Sequence, residues 1–393
     1  MNPLSRERLL RGTSQRQLRE LTLAAMSCHQ RDQKYESIRA AGVDIIPLWL
    51  PFAQANRVTP IVAHALFDVF GEDIPMATEW HAAHEQNAQR MRTLLSEFDR
   101  IAAAMADVGV RMLALKNAGI ARGLYPCAAC CPMGDLDVVV KRGDFHAAHD
   151  VMLSLGYPLA TRTTTHDASF EEGFDDGGTE YRAVVDGEEV WFELQWRPVA
   201  GRWIRQDQEP DADDLVDRSV PIQGTDVRLL SPVDNMVQVA LHTAKHTYVR
   251  APGLRLHTDV DRITRYQAPD WSAVCDMVEA LEVKTATFLS FALANALLDT
   301  PIPNEVFQRL RPNRAKLEAM VQWLMRVDLF LPNEPKFSRP EMIGFTALMY
   351  DDPAGLLASV LDTDKSDLLT GNPLRHARRG ARRVRDLLTR YDR

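Results

Sequence analysis

The segment MGDLDVVV, residues 133–140, joins a glycine and two aspartates to a run of β-branched residues. Its apolar half has the length and composition of a short buried strand. Side chains alternate between the faces of a strand, so Asp135 and Asp137 share one face about 6.5–7 Å apart, while Leu136 and Val138 face the core. Paired anions repel each other unless a cation lies between them, and oxygen ligands on a rigid strand suit Mg²⁺. A solvated strand edge also carries such a pair, so the pair alone leaves both interpretations open.

A third carboxylate lies in the aromatic segment VWFELQW, residues 190–196. The charge of Glu193 is costly in so apolar a strand unless it has a partner or a metal. Asp186-Gly187 precedes this strand and predicts a β-hairpin turn after YRAVV, residues 181–185. If the hairpin pairs beside the aspartate strand, the three carboxylates converge and can hold two metals about 3.5–4 Å apart, as in-line displacement at phosphorus requires. The alternative is a glutamate on the solvent face of an edge strand.

The sequence around these strands predicts an α+β fold with helical regions on both sides. Residues 1–106 and 201–393 show the helical repeat of apolar residues, whereas 107–200 alternates strands and helices around a small mixed sheet. The sequence also predicts an interruption of the helical pattern over 42–51, an N-cap at Thr59 and a helix over 118–125. Long helices are predicted over 271–298, 303–328 and 340–361.

The overall charge argues against a protein that binds nucleic acid along its whole surface. The 393 residues include 46 Lys and Arg against 54 Asp and Glu, a formal net charge of −8. The arginine-rich stretch 375–385 is a local exception. It is interpreted as a solvated helix face or as a site for an anionic partner, which leaves an RNA acceptor open.

Composition also indicates a cytoplasmic protein without membrane association. Five cysteines in 393 residues do not form a disulfide framework. The N-terminal twenty residues are polar and arginine-rich, and no stretch approaches the ~20 apolar residues of a membrane span. Residues 127–131 contain the pattern C-x-x-C-C, but no further ligand is near in sequence, so loop cysteines without a catalytic role are expected.

Several motifs occur in a fixed order around the aspartate pair. They are Leu115-Lys116, Leu124-Tyr125-Pro126, Gly134-Asp135-Leu136-Asp137, Gly156-Tyr157, Glu193-Leu194-Gln195-Trp196, LHTAKHT at 241–247, Leu254-Arg255 and Asp259. Together they resemble the core of the nucleotidyltransferase superfamily that includes DNA polymerase beta. More specifically, they resemble a bacterial family of poorly characterised nucleotidyltransferases. The resemblance covers residues of about 80–270.

The resemblance implies a function and a metal site. Asp135 and Asp137 would ligate Mg²⁺ (or Mn²⁺) bridging a nucleoside triphosphate such as ATP, and Glu193 would complete the site and help deprotonate an acceptor hydroxyl. The nucleoside monophosphate would pass to a hydroxyl acceptor, with release of pyrophosphate. The negative net charge favours a small molecule or a protein over bulk nucleic acid as this acceptor. The implied nucleotide-binding residues are Lys116, Asn117, Gly134, Lys245 and His246.

Two departures from the family pattern leave an alternative open. Asn117 stands where the family favours glycine, and Cys131 stands where an arginine is common. Asparagine tolerates positive φ better than most residues, but its side chain can crowd the phosphates. A catalytically inactive nucleotide-binding or interaction protein is the alternative that these substitutions motivate.

A further alternative is a metal-dependent hydrolase that uses His242 and His246. The two residues are spaced i, i+4 on one predicted helix, a spacing that binds zinc in some enzymes. Lys245 between them would repel a cation, and no glutamate takes the position of the His-Glu-x-x-His motif. The preferred interpretation is that this helix packs over the active site.

Overall fold

The computed structural model describes residues 3–10, 15–27, 31–162, 169–199 and 204–361. The arginine-rich stretch 375–385 lies outside the described residues. Among the described helices, none is both long and apolar enough to cross a membrane.

The described chain is mostly helical. The helices are α1 Arg6–Leu9, α2 Arg16–Met26, α3 Arg31–Ala41, α4 Ile46–Ala55, α5 Thr59–Phe70, α6 Ala77–Asp107, α7 Lys116–Ile120, α8 Phe145–Ser154, α9 Phe170–Asp176, α10 Ala212–Asp217, α11 Pro232–Lys245, α12 Leu254–Tyr266, α13 Trp271–Ala280, α14 Lys284–Leu298, α15 Asn304–Arg309, α16 Arg314–Leu324, α17 Arg339–Leu348 and α18 Pro353–Leu361. The strands are β1 Leu113–Ala114, β2 Leu136–Val139, β3 Leu159–Ala160, β4 Gly178–Val185, β5 Glu188–Gln195, β6 Val220–Pro221 and β7 Arg228–Leu229.

One mixed sheet gathers all these strands in the order β3-β4-β5-β2-β1-β7-β6. The pairs β2·β5 and β1·β7 are parallel, and the other pairs are antiparallel. The hairpin β4–β5 turns at Asp186 and Gly187, which both have positive φ, as this two-residue turn requires. The predicted α+β class, a small mixed sheet flanked by helices, is confirmed. The sheet also takes in β6 and β7, which lie beyond residue 200.

The sheet separates two groups of buried apolar side chains. The larger core contains Leu136, Val138 and Val140 from the β2 segment and runs on into helices of the N-terminal and C-terminal regions. The smaller one packs Val139 against α10 and also includes residues of β1 and its neighbours. Side chains alternate along β2, so both faces of its apolar part are buried. The carboxylates lie at the N-terminal end of the strand.

Several predicted boundaries are wrong, for reasons of local chemistry. Residues 46–55 form a helix with Pro47 in its first turn and Pro51 in its interior, where the loss of one backbone hydrogen bond is offset by burial of the apolar side chains of the helix. The N-cap of α5 is Val58, with Thr59 and Pro60 already in the first turn. The helix predicted over 118–125 begins earlier and is only one turn long.

The three long C-terminal helices predicted from periodicity are each divided in two. The breaks separate α13 from α14, α15 from α16 and α17 from α18. Glu282 adopts a positive φ at the first break, and Pro312 and Pro353 accompany the other two. Apolar periodicity continued across each break because both helices of a pair pack on the same core, so the repeat alone did not reveal the boundaries.

Candidate active site

The parallel pairing of β2 with β5 brings the three predicted carboxylates together. Asp137 is directly opposite Glu193 in the register of the two strands, and Asp135 immediately precedes β2. One carboxylate oxygen from each of the three residues lies within 4.8 Å of the others. The side chain of Asp137 is 6 % exposed, whereas those of Asp135 and Glu193 are about a quarter exposed. Glu193 lies on an interior strand, which excludes the edge-strand alternative.

Lys116 supplies the buried positive charge of the cluster. Its Nζ lies 2.6 Å from Asp137 Oδ1 and 3.8 Å from Glu193 Oε2, and its side chain is 10 % exposed. The residue has φ +50°, which is uncommon for a side chain with a Cβ and is typical of strained functional positions. The left-handed residue of this turn is therefore Lys116, and Asn117 is not among the residues with positive φ.

Arg162 and Gln195 complete the surroundings of the carboxylates. Arg162 Nη1 lies 2.7 Å from Asp135 Oδ2, and its guanidinium carbon lies 4.8 Å from the centre of the Trp191 ring. Gln195 lies two residues after Glu193 on β5, and its Nε2 donates to Asp137 Oδ1 at 3.4 Å. Asp135 is thus held by a side chain from an irregular segment, and Asp137 by side chains from α7 and β5.

The close contact between Asp137 and Glu193 splits their pKa values. Burial raises the pKa of Asp137 well above its usual value, and the charges of Asp135 and Glu193 add to this effect against the pull of Lys116. Burial acts in the same direction on Glu193, but the charge of Lys116 and a hydrogen bond with Asp137 outweigh it and lower the pKa of Glu193. Without a second cation, the pair therefore favours one shared proton.

Helix α11 places further basic groups beside the cluster. Burial lowers the pKa of Lys245, which also feels the charges of Lys116, Glu193 and Asp137, and its Nζ donates to Val199 O at 3.0 Å. The Nε2 atoms of His242 and His246 are 3.1 Å apart. Burial and the nearby cations lower the pKa of both imidazoles, that of His246 to about 3, so both are neutral at neutral pH.

Helix α6 holds the loop that leads into the aspartates. Arg90 donates to Met133 O at 3.2 Å and to Gly134 O at 3.1 Å, and it forms an ion pair with Glu188 at 3.1 Å. A Cβ at Gly134 would meet no atom within 4 Å, so sterics do not require a glycine there. Cys131 is buried behind this loop, and burial raises the pKa of its thiol to about 12.

The donor set fits a divalent cation that prefers oxygen. The cluster offers three carboxylates, and the buried amide oxygen of Gln195, beside Asp137, has no hydrogen-bond partner among the described residues. Carboxylate and amide oxygens are ligands of Mg²⁺ and Mn²⁺. His242 and His246, by contrast, belong to no group of three or more His, Cys, Asp or Glu ligands within the described chain.

Comparison with known families agrees with this geometry. The model of an uncharacterised nucleotidyltransferase family matches residues 46–299. The chain belongs to this family. The match begins in α4 and ends after α14, so it includes the whole sheet, the carboxylate cluster and the α11–α12 pair. The predicted resemblance to a poorly characterised nucleotidyltransferase family is confirmed. Searches of curated proteins and of solved structures returned no match.

Sequence reasoning missed two residues of this candidate site. Gln195 is two positions after Glu193 on the same strand. The rule that side chains at i and i+2 share one face of a strand, which grouped the two aspartates, therefore also predicts Gln195 on the face of Glu193. Arg162 lies in an irregular segment between β3 and α9, where no periodicity predicts the direction of a side chain. Only the folded chain places it against Asp135.

Proposed function

We propose that this protein transfers a nucleoside monophosphate from a nucleoside triphosphate to a hydroxyl acceptor on a small molecule or a protein. The observation that carries the proposal is the convergence of Asp135, Asp137 and Glu193 in a chain of the nucleotidyltransferase family. Asp135 and Asp137 would hold Mg²⁺ or Mn²⁺, with Glu193 as a further ligand. A cation bound there would neutralise triphosphate charge and polarise the α-phosphoryl group.

In the proposed reaction the acceptor oxygen forms a bond to the α-phosphorus. The bond from the α-phosphorus to the oxygen bridging to the β-phosphate breaks, and pyrophosphate leaves. The acceptor proton passes to Glu193, which would act as the general base. Lys116 and Lys245 would bind triphosphate oxygens, with Asn117, Gly134 and His246 lining the same region.

A groove beside Asp135 supports access of a substrate to the cluster. Its volume is about 530 Å³, and it is lined by residues 158–162 together with Arg182 and Trp191. Arg162 belongs both to the wall of this groove and to the ion pair with Asp135. Release of that ion pair would open a path from the groove to the carboxylates.

The test combines binding and turnover. Calorimetry with each of the four nucleoside triphosphates, with and without Mg²⁺, would measure binding to the wild type and to the Asp135→Asn/Asp137→Asn double variant. Triphosphates labelled at the α-phosphorus would then report transfer of the labelled nucleoside monophosphate to acceptors or, slowly, to water, and a coupled assay would detect the unlabelled pyrophosphate that leaves. Asp150→Asn is the matched control, because this exposed carboxylate lies on α8 of the same core but outside the cluster.

Metal-dependent binding that is lost in the double variant and kept in Asp150→Asn is the expected result. Absence of binding of every triphosphate would refute the proposal. Binding without any release of pyrophosphate would favour the inactive nucleotide-binding alternative. Release of nucleoside diphosphate and phosphate that depends on His242 would favour the hydrolase.

A further inference from the structure

Four metal-ligating side chains converge at a second place, away from the carboxylate cluster. His64 comes from α5, His84 from α6, and Cys127 and Cys130 from the loop after α7. One ligand atom from each residue lies within 4.8 Å of the other three. The two histidines are twenty residues apart and more than forty residues from the cysteines, which is why the C-x-x-C pattern had no visible partners in the sequence.

We propose that His64, His84, Cys127 and Cys130 form a structural zinc site. Two thiolates and two imidazoles are a standard donor set for tetrahedral Zn²⁺, with Zn–S near 2.3 Å and Zn–N near 2.0–2.1 Å. Four closed protein ligands are typical of a structural site, because a catalytic zinc keeps one position open. This proposal is independent of the nucleotidyltransferase chemistry.

The observed distances are close to those that a tetrahedral ion needs. Cys127 Sγ lies 3.5 Å from His84 Nε2 and 2.8 Å from Cys130 Sγ. Ligand atoms of a tetrahedral zinc are roughly 3.3–3.8 Å apart, so the two sulfurs would separate by about 1 Å on binding. The imidazoles of His64 and His84 are stacked with their centroids 6.3 Å apart. Binding would release about two protons from the thiols.

The surroundings hold the ligands in place. His64 Nε2 lies 3.7 Å from Asp68 Oδ2, so a small shift would let this carboxylate accept from the imidazole and orient it on zinc. Asn87, one turn after His84, donates to Ala129 O at 2.5 Å, between the two cysteines. Cys130 is buried, and Cys127 is partly exposed. The pair is therefore enclosed on one side and accessible on the other.

The site would fix the loop that carries the catalytic aspartates. Asp135 follows Cys130 by five residues and Cys127 by eight, and zinc would tie this segment to α5 and α6 of the N-terminal region. The zinc would then act at a distance from the reaction, as an anchor of the loop. Two thiols this close can instead oxidise to a disulfide. The experiment therefore has to distinguish a disulfide between Cys127 and Cys130 from zinc binding.

The test measures zinc in the full chain, purified without chelators under reducing conditions. Metal analysis by mass spectrometry is expected to find about one zinc ion per wild-type chain and below roughly a tenth of that in Cys127→Ser/Cys130→Ser and in His84→Gln. Cys275→Ser removes a buried thiol from α13, and His81→Gln removes an exposed imidazole one turn before His84, so both controls should keep the zinc.

X-ray absorption at the zinc edge of the wild type provides a measurement that needs no variant to fold. Two sulfur and two nitrogen neighbours support the site. A shell of oxygen and nitrogen alone overturns it. A wild type that stays free of zinc after reduction and incubation with Zn²⁺ also overturns it, as does a disulfide between Cys127 and Cys130 in the zinc-treated protein. Zinc retained by Cys127→Ser/Cys130→Ser would also overturn the proposal.

Discussion

Lys116 provides the positive charge that allows Asp137 to remain buried beside Glu193. Its Nζ contacts both carboxylates from a backbone conformation with φ +50°. Lys116→Met keeps the length of the side chain and removes the charge. The free energy of unfolding is expected to fall by about 3–5 kcal/mol, as for other buried ion pairs that lose one partner. Urea denaturation at neutral pH measures this change.

Lys141→Met is the control for this substitution. Lys141 forms an ion pair of similar length, 2.8 Å, with the exposed Asp217. Exposed pairs contribute little, so its loss should be much smaller. Saturating Mg²⁺ should recover part of the stability of Lys116→Met because it replaces the missing charge. Equal losses in the two variants would show that Lys116 does not compensate the cluster.

Asp259 predicts a pH dependence of stability. The residue is 4 % exposed and accepts a hydrogen bond from Tyr125 Oη at 2.8 Å. Burial raises its pKa to about 6 although the hydrogen bond and two arginines oppose the shift. The folded state therefore holds this proton more tightly than the unfolded state, and the associated stability, present at about pH 4, is lost as the pH rises through about 6.

Relative to Asp259→Asn, the wild type is expected to lose about 2 kcal/mol of unfolding free energy between about pH 4 and pH 7. Denaturation of both proteins across this range measures the difference. Curves that run parallel would mean that Asp259 is ionised in the folded protein at every pH tested.

Alternation along strands made the carboxylates predictable from the sequence. Asp135, Asp137 and Glu193 stood out because a charge in an apolar strand needs a partner. Lys116 was predicted to bind nucleotide from family resemblance, but its pairing with Asp137 depends on the left-handed turn, which nothing in the local sequence indicates. Arg162 reaches the site from an irregular segment and was not predicted.

At the scale of elements, α6 is expected to control the order of the aspartate loop. Arg90 bonds to Met133 O and Gly134 O, the two carbonyls before Asp135. Arg90→Ala should therefore speed amide hydrogen exchange over residues 131–137 by allowing local opening. Mass spectrometry of the peptide that covers this loop measures the exchange.

Arg92→Ala tests whether the effect is specific to this contact. Arg92 lies on the exposed face of the same helix and pairs with Glu85. It should leave exchange over 131–137 unchanged. If both variants exchange at the wild-type rate, the carbonyl contacts of Arg90 do not order the loop.

The elements themselves were predictable where one local rule was sufficient. The hairpin followed from Asp186-Gly187, and the long α6 followed from its apolar repeat. Helix breaks in the C-terminal region were not predictable from periodicity, because α13 and α14 continue the same buried stripe on either side of Glu282. The sequence could state only that the carboxylates converge if β5 pairs with β2. It could not predict that pairing, because strand order depends on contacts between distant segments.

At the scale of the molecule, α2 contacts a segment more than 300 residues away. Arg19 forms two hydrogen bonds with the carboxylate of Asp328, at 2.8 and 2.6 Å, and its guanidinium carbon lies 4.7 Å from the centre of the Phe330 ring. Asn56 in the N-terminal region accepts a hydrogen bond from Leu331 N at 2.7 Å. The contacts of Arg19 join segments on both sides of the region 46–299 that the family model matches, and Asn56 ties the C-terminal segment to that region itself.

Arg19→Ala is therefore expected to weaken the whole molecule and not only its first helices. Asp328 would lose its partner while it still orders the turn at Phe330, so the unfolding free energy should fall by about 2–4 kcal/mol. Circular dichroism and tryptophan fluorescence should report coincident transitions in both wild type and variant. Arg16→Ala, which removes an exposed pair with Glu20 on the same helix, should leave the midpoint in place. An early, separate transition in Arg19→Ala would mean instead that the N-terminal helices unfold on their own and that the contact with Asp328 does not couple the two ends.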